Sequence, residues 1–270
     1  MPSTYAHYRM GQEVRQSLTG RQREVVEAWP ELYFIGLHGP DILFYYKPLF
    51  ANPVKAVGNG LHQRPGRVFF RHACQAIRES WQPEAALAYA YGVLNHFALD
   101  MSCHPYVDEK MAASGVTHTE IEVEFDRSLM VEDGLDPVTY VQTSHIQARA
   151  GNAEVIAPFY PVVTDRQVEK ALKGMVFYHN LLMARTEGKR RLLSAGLRVA
   201  GRGGELQGLV IQPEGNPQCA DSCARLRELY NLGRVRAVQF LQDFDAFLAG
   251  ERPLPELFHY NFEGRREEKP

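Results

Sequence analysis

The stretch NHFALDMSCHPYV, residues 95–107, decides how this chain folds and what it could hold. It places His96, Asp100 and His104 at intervals of four, and fourteen residues past His104 the segment HTEIE places His118 four before Glu122. Residues four apart on an α-helix sit about 40° apart around its axis and one turn apart along it. The first three therefore fall within an arc of roughly 80°, and the second pair shares one face of a following helix. Leu94, Phe97, Ala98 and Leu99 flank the first three, so that arc is predicted to be buried. A buried unpaired carboxylate is costly, and burial is tolerated when it is paired or coordinates a metal. One such histidine alone is more simply a hydrogen-bonded core residue, but five ligand-type residues together read as a metal site. Imidazole with carboxylate suits zinc, with iron or manganese as weaker candidates. Pro105 disfavours helix at the residue before it, so His104 is expected at a frayed helix end, free to turn toward a different metal from His96.

Outward from this stretch, helical periodicity dominates and period-2 alternation is scarce. Helices are predicted over 4–18, 21–29, 67–80, 84 to about 103, and 118–132. Between Gly39 and Gly66 the groups GPD, ANP, GNG and RPG mark turns. Thr164 or Asp165 caps a long helix with Met175, Tyr178, Leu181 and Leu182 on its apolar face. Residues 200–218 read as a surface loop or short hairpin, and 223–248 as the last helix. The expectation is an all-α fold, a compact single-domain bundle over residues 1–250 with a metal cluster between helices, followed by a loose polar tail over 251–270.

The 270 residues, 45% of them hydrophobic, suffice for such a core. A formal net charge of −2 offers no general basic field, so nucleic acid is not expected as a partner. The opening MPSTYAHYRMGQEV lacks a basic segment followed by an apolar run. No run approaches the roughly 18–20 apolar residues of a membrane span. Four cysteines without an export signal argue against a disulfide scaffold. A soluble, cytoplasmic protein is expected, with oligomeric state left open.

Other metal and nucleophile motifs fail on spacing. There is no H-E-x-x-H, no histidine-aspartate dipeptide, no G-x-S-x-G and no P-loop. Of the E-x-x-H pairs a di-iron bundle needs, only Glu256 to His259 is present. PQCADSC lacks the spacing a zinc deaminase requires.

The pattern H-x3-D, a histidine shortly after, then H-x3-E after thirteen intervening residues resembles the bacterial zinc-dependent phospholipase C family. GLHGPDI is similar to that family's Gly-Pro-Asp motif, NGLH to a segment that supplies a histidine, and TYAHYRMG to its first helix. The resemblance runs from about residue 5 to 126. It implies a helical phosphodiester hydrolase with two zinc ions and a third site. His62, His96, Asp41 and Asp100 would hold one ion; His104, His118 and Glu122 a second. Asp100 and His7 would serve the third, although no tryptophan precedes Trp29 to complete it as in the secreted enzymes. It also implies attack on phosphorus by a water that zinc activates, with Asp41 as general base or as ligand only. Two Zn²⁺ against Asp41, Asp100 and Glu122 leave +1, which a phosphodiester anion would neutralise. A choline pocket does not carry over, because nothing acidic precedes His7 and Ile42 follows Asp41. The expected substrate is a phosphodiester or phospholipid, compatible with transient membrane contact.

Several residues are read more simply. His72 competes with His62, but Phe69, His72, Ala73 and Ala76 share a helical face, which makes His72 a core residue. His62 lies in what reads as a glycine-rich loop able to bend toward a metal. His38 is expected to line the site and donate to a carboxylate. His145, His179 and His259 are assigned structural roles, and Cys103 a small buried one. LFYYKPLF, residues 43–50, reads as core packing or as a lipid-lining groove. The competing functions are a single-strand-type zinc nuclease and a non-catalytic zinc-binding helical protein.

Overall fold

The computed structural model describes residues 4–199 and 208–266. Its helices run in the order α1 (Thr4–Ser17), α2 (Gly20–Ala28), α3 (Pro30–Gly36), α4 (Pro53–Gln63), α5 (Gly66–Glu79), α6 (Pro83–Ser114), α7 (His118–Glu132), α8 (Ala150–Ile156), α9 (Asp165–Leu182), α10 (Glu187–Val199) and α11 (Ala220–Leu248). A 3₁₀ segment, Gly39–Tyr45, joins α3 toward α4. Among the described residues the one β-type pairing is an isolated bridge between Tyr260 and Arg266. The all-α fold is as expected.

Every residue of α6 from Ala85 to Cys103 is buried, with no face left for water. The helix is therefore a central post, and α3 and α11 pack along it. Glycines set the closest approach. A Cβ on Gly36 would lie 2.3 Å from the Tyr89 carbonyl, and one on Gly92 would lie 2.2 Å from that of Tyr33. Only hydrogen at both positions lets the α3 and α6 backbones touch.

Local chemistry explains several helix ends. Thr117 accepts from the Glu120 N–H and starts α7. Thr164 and Gln167 form a reciprocal capping box at α9. On α9 the buried face is Val168, Ala171, Leu172 and Met175, whereas Leu181, expected there, is 44% exposed.

Three expectations are corrected. First, α6 does not fray at His104 but continues through Pro105 to Ser114, where Gly115 turns left-handed at φ 70°. Proline removes only the bond that its missing N–H would give Met101. That carbonyl meets the Gly264 backbone, where a Cβ would fall 2.6 Å away. Second, residues 53–63 form helix α4 rather than a glycine-rich loop. Asn52 caps it by accepting from the Lys55 N–H, and Pro53 opens it. Third, residues 251–266 are not loose: Phe258 and Phe262 are fully buried, and Gly66 N–H donates to the Tyr260 carbonyl at 2.8 Å, while 267–270 of the expected tail lie outside the described residues. Residues 200–207 of the expected loop lie outside the described residues, and 208–218 form turns leading into a 3₁₀ segment, Pro217–Cys219. All four cysteines are free thiols.

Candidate metal centre

Five elements bring the chemistry together: α1, the 3₁₀ segment, α4, the middle of α6, and the start of α7. The start of α1 is fixed from α7. Asp126 accepts from the Tyr5 N–H at 2.8 Å and the Ala6 N–H at 2.7 Å. These are donors of a first helical turn, which have no partner within their own helix. One residue past this clamp, His7 is buried with Nε2 3.1 Å from Asp100 Oδ1. Sequence reading missed Asp126, although it continues the i, i+4 ladder His118, Glu122, Asp126.

The motif glycine of Gly39-Pro40-Asp41 has a physical reason. It sits at φ 46°, and a Cβ there would fall 2.5 Å from His96 Cδ2. The chain thus turns tightly over the His96 ring and delivers Asp41 to it. Asp41 Oδ1 lies 2.9 Å from His62 Nε2 and Asp41 Oδ2 lies 3.6 Å from His96 Nε2. Asp100 Oδ2 completes the group, 3.1 Å from His96 Nε2 and 4.0 Å from His62 Nε2.

One turn along α6, His104 Nε2 stands 3.4 Å from Glu122 Oε1, which is also 3.1 Å from His118 Nε2. His104 is 3.8 Å from Asp100 Oδ1, so Asp100 faces both groups. His118 is the most open of these side chains, 32% exposed.

The donor atoms fit metal ions better than they fit one another. Asp41, His62, His96 and Asp100 form one group, and His104, His118 and Glu122 a second, with the atoms of each group within 4.8 Å of one another. Ligands about 2.0–2.1 Å from a tetrahedral zinc ion lie roughly 3.3 Å apart, close to the separations seen. His62 Nδ1 must donate to the Gly58 carbonyl, 2.8 Å away. In the neutral ring Nε2 then carries a lone pair aimed at a carboxylate, so a cation has to stand between them. Asp41 Oδ2, Asp100 Oδ2, Glu122 Oε2 and both His96 nitrogens are buried without a hydrogen-bond partner. Orphaned polar atoms of this kind are rare unless something binds them.

Without a metal, protons would fill that role. Burial works to lower His104, but Asp100 and Glu122 push its pKa up to about 10. Burial likewise opposes the rise at His62, which Asp41 drives, and at His7, which Asp100 drives. Asp100 is held well below the usual carboxylate range against its burial, chiefly by His96 and His104.

His72 is not in the centre; its Nε2 bonds the Pro158 carbonyl at 2.8 Å and the residue is half-exposed rather than core. Nor does His38 serve a carboxylate. It is fully buried, its Nε2 pairs with His145 Nε2 at 2.7 Å, and His145 in turn stacks on Tyr8 at 4.0 Å. Burial lowers His38, with His145 adding to the effect. Burial lowers His145 to about 3, so the pair is neutral. His179 bonds Tyr45 Oη at 2.7 Å. No spacing or motif marks Phe262, whose ring packs 5.4 Å from His62 and 5.7 Å from His96 and walls the centre from behind.

A family model described as zinc dependent phospholipase C matches residues 6–171, a span that holds every residue of both donor groups and His7. No curated protein and no solved structure matches the chain. With more than half its length under that match, and one buried and one partly buried imidazole–carboxylate group able to hold zinc, the chain belongs to the zinc-dependent phospholipase C family of phosphodiester-hydrolysing enzymes.

Proposed function

We propose that Asp41, His62, His96 and Asp100 hold one zinc ion, that His104, His118 and Glu122 hold a second, and that His7 with Asp100 serves a third. The substrate is a phosphodiester of a lipid or of a soluble headgroup. Zinc bound there supplies a Lewis acid that acidifies water and neutralises charge on the phosphoryl oxygens.

The chain's own residues set the rest. Asp41 Oδ2 has no hydrogen-bond partner, which leaves it able to take a proton from an attacking water. Among the described residues, the ion-pair partners of Asp41, Asp100 and Glu122 at the centre are imidazoles, with no lysine or arginine. Recognition of the phosphate therefore falls to the ions. The half-open His118 marks the side from which water and substrate arrive.

The observation that carries this reading is Asp100, whose two oxygens face His7 and His104 on one side and His96 on the other. The test is hydrolysis of a bis-aryl phosphate by zinc-loaded protein, with metal content measured on the same sample. Two to three equivalents of zinc and turnover that disappears on chelation are expected. Less than one equivalent after loading would remove both the metal assignment and the mechanism.

A further inference from the structure

Between the 3₁₀ segment that carries Asp41 and the helix that carries His62, residues 46–52 form a loop whose tip is apolar. Leu49 is 56% exposed and Phe50 69% exposed. Single exposed apolar residues are ordinary. An adjacent pair held rigidly outward is not, and this loop is braced throughout. The Asn52 side-chain amide donates to the Tyr46 and Phe50 carbonyls, each at 3.0 Å. Its oxygen accepts from the Lys55 N–H at 3.0 Å. Lys55 Nζ donates to the Pro48 carbonyl at 3.0 Å. Lys47 sits at φ 47°, a left-handed conformation that a side chain rarely adopts. Strain of that sort persists only where the surroundings over-determine it. Here it holds Leu49 and Phe50 away from the core that buries Leu43 and Tyr45 a few residues earlier.

Along the chain the charges that flank the tip have one sign. From residue 42 to residue 60 there is no Asp or Glu, while Lys47 and Lys55 flank the apolar pair. Lys170 of α9 joins them: its Nζ and that of Lys47 lie 5.8 Å and 5.6 Å from the Tyr46 ring centre. Apolar tip, amphipathic tyrosine and a ring of lysines are the order of groups met on passing from acyl chains through the interface to anionic headgroups.

We propose that the 46–52 loop is a membrane-docking device, in which Leu49 and Phe50 enter the acyl region of an anionic phospholipid surface while Lys47, Lys55 and Lys170 contact its headgroups. The inference rests on the phosphodiesterase reading for its purpose, since docking would bring lipid diesters to the centre, but not for its structural support. A lysine ring around a shallow apolar tip gives binding that is reversible and weakens with salt.

Co-sedimentation with phosphatidylglycerol vesicles and with phosphatidylcholine vesicles tests it, using wild type, Leu49→Ser/Phe50→Ser and Lys47→Gln/Lys170→Gln. Wild type should bind phosphatidylglycerol vesicles at low salt at least tenfold more tightly than phosphatidylcholine vesicles. Both double variants should lose at least tenfold in affinity. Turnover of a soluble bis-aryl phosphate, assayed beside it, should not change in either variant, which separates failure of docking from failure of the hydrolase reading. Wild type that ignores both vesicle types would overturn the proposal, as would a serine variant that binds like wild type. A concentration-dependent dimer abolished by the serine pair would assign the tip to self-association and overturn it too.

Discussion

His7 Nε2 stands 3.1 Å from Asp100 Oδ1, on the opposite side of that carboxylate from His96. Asp100 is thereby the one anion common to every part of the centre. Asp100→Asn keeps the shape and removes the charge, so it should lower zinc content by at least one equivalent and activity by more than about 100-fold, on the order of 2.7 kcal/mol in the barrier. His72→Ala should leave zinc content and turnover intact and cost only about 1 kcal/mol of stability through its lost bond to Pro158. Elemental analysis and denaturation of both variants check the contrast; metal loss in His72→Ala with none in His62→Ala would reverse the choice of upstream residue.

Zinc loading should release protons. In metal-free protein His104 is held up at about 10 by Asp100 and Glu122 against its burial, so at pH 7–8 it is charged. A metal ligand must be the neutral ring. The sign follows from linkage: the His104 contribution to metal-free stability is complete below its unfolded value near 6.5 and is lost as pH rises through about 10. Zinc affinity should rise across that same interval as the competing proton leaves. Calorimetric zinc titrations in buffers of different ionisation enthalpy would count the protons, and a count of zero would contradict the assignment.

Acid should act elsewhere, through the neutral pair His38–His145. Burial holds His145 down to about 3, so between pH 6.5 and 3 the unfolded chain binds a proton that the folded chain does not. Stability is then complete above pH 6.5 and declines as pH falls. His145→Gln keeps a polar partner for His38 and should flatten the fall in Tm between pH 6.5 and 4. An unchanged slope would show that the acid sensitivity lies with other groups.

Gly39 and Gly60 should respond oppositely to alanine. At Gly39, φ 46° and the His96 ring both reject a Cβ, so Gly39→Ala should lose roughly 1–2 kcal/mol from the backbone alone and lower zinc content. At Gly60, inside α4, nothing lies within 4 Å of the added carbon, so Gly60→Ala should be stabilising by about 0.4–1 kcal/mol. Thermal denaturation with metal analysis distinguishes the two.

Choline should confer little advantage. Its recognition needs an anion and aromatic faces about a quaternary ammonium, whereas Ile42 follows Asp41 and is fully buried. Rates on phosphocholine, phosphoethanolamine and unadorned diesters should agree within about tenfold, or ~1.4 kcal/mol. A larger choline preference would reveal a pocket built from other residues.

What the sequence discloses about this centre follows from distance along the chain. His96, Asp100 and His104 are legible because helical spacing alone places them on one face, and 118–132 is readable to both ends. Gly39-Pro40-Asp41 is legible only as a resemblance; its reason, the His96 ring lying against Gly39, is a contact across 57 residues. Helix α4 is hidden because Gly58 and Gly60 mimic a loop, although Asn52-Pro53 announces its start. The break expected at Pro105 fails because burial of Cys103 and Val107 on either side outweighs one missing hydrogen bond. Asp126 beneath α1 continues the spacing of His118 and Glu122, whereas His145 against His38 and Phe262 behind His96 meet only through packing, and no local pattern encodes them.

The placement of Phe262 has a consequence for how the protein is made. The donor groups and His7 all lie between residues 7 and 122, within the first half of the chain. Yet the ring that backs His62 and His96 arrives about 140 residues later and is fully buried. At roughly 5–20 residues per second of synthesis, a nascent chain would carry the complete donor set for some seven seconds or more before its rear wall emerged from the ribosome. During that interval the imidazoles are exposed to any metal ion at hand, and the choice of metal becomes a matter of timing as well as of affinity.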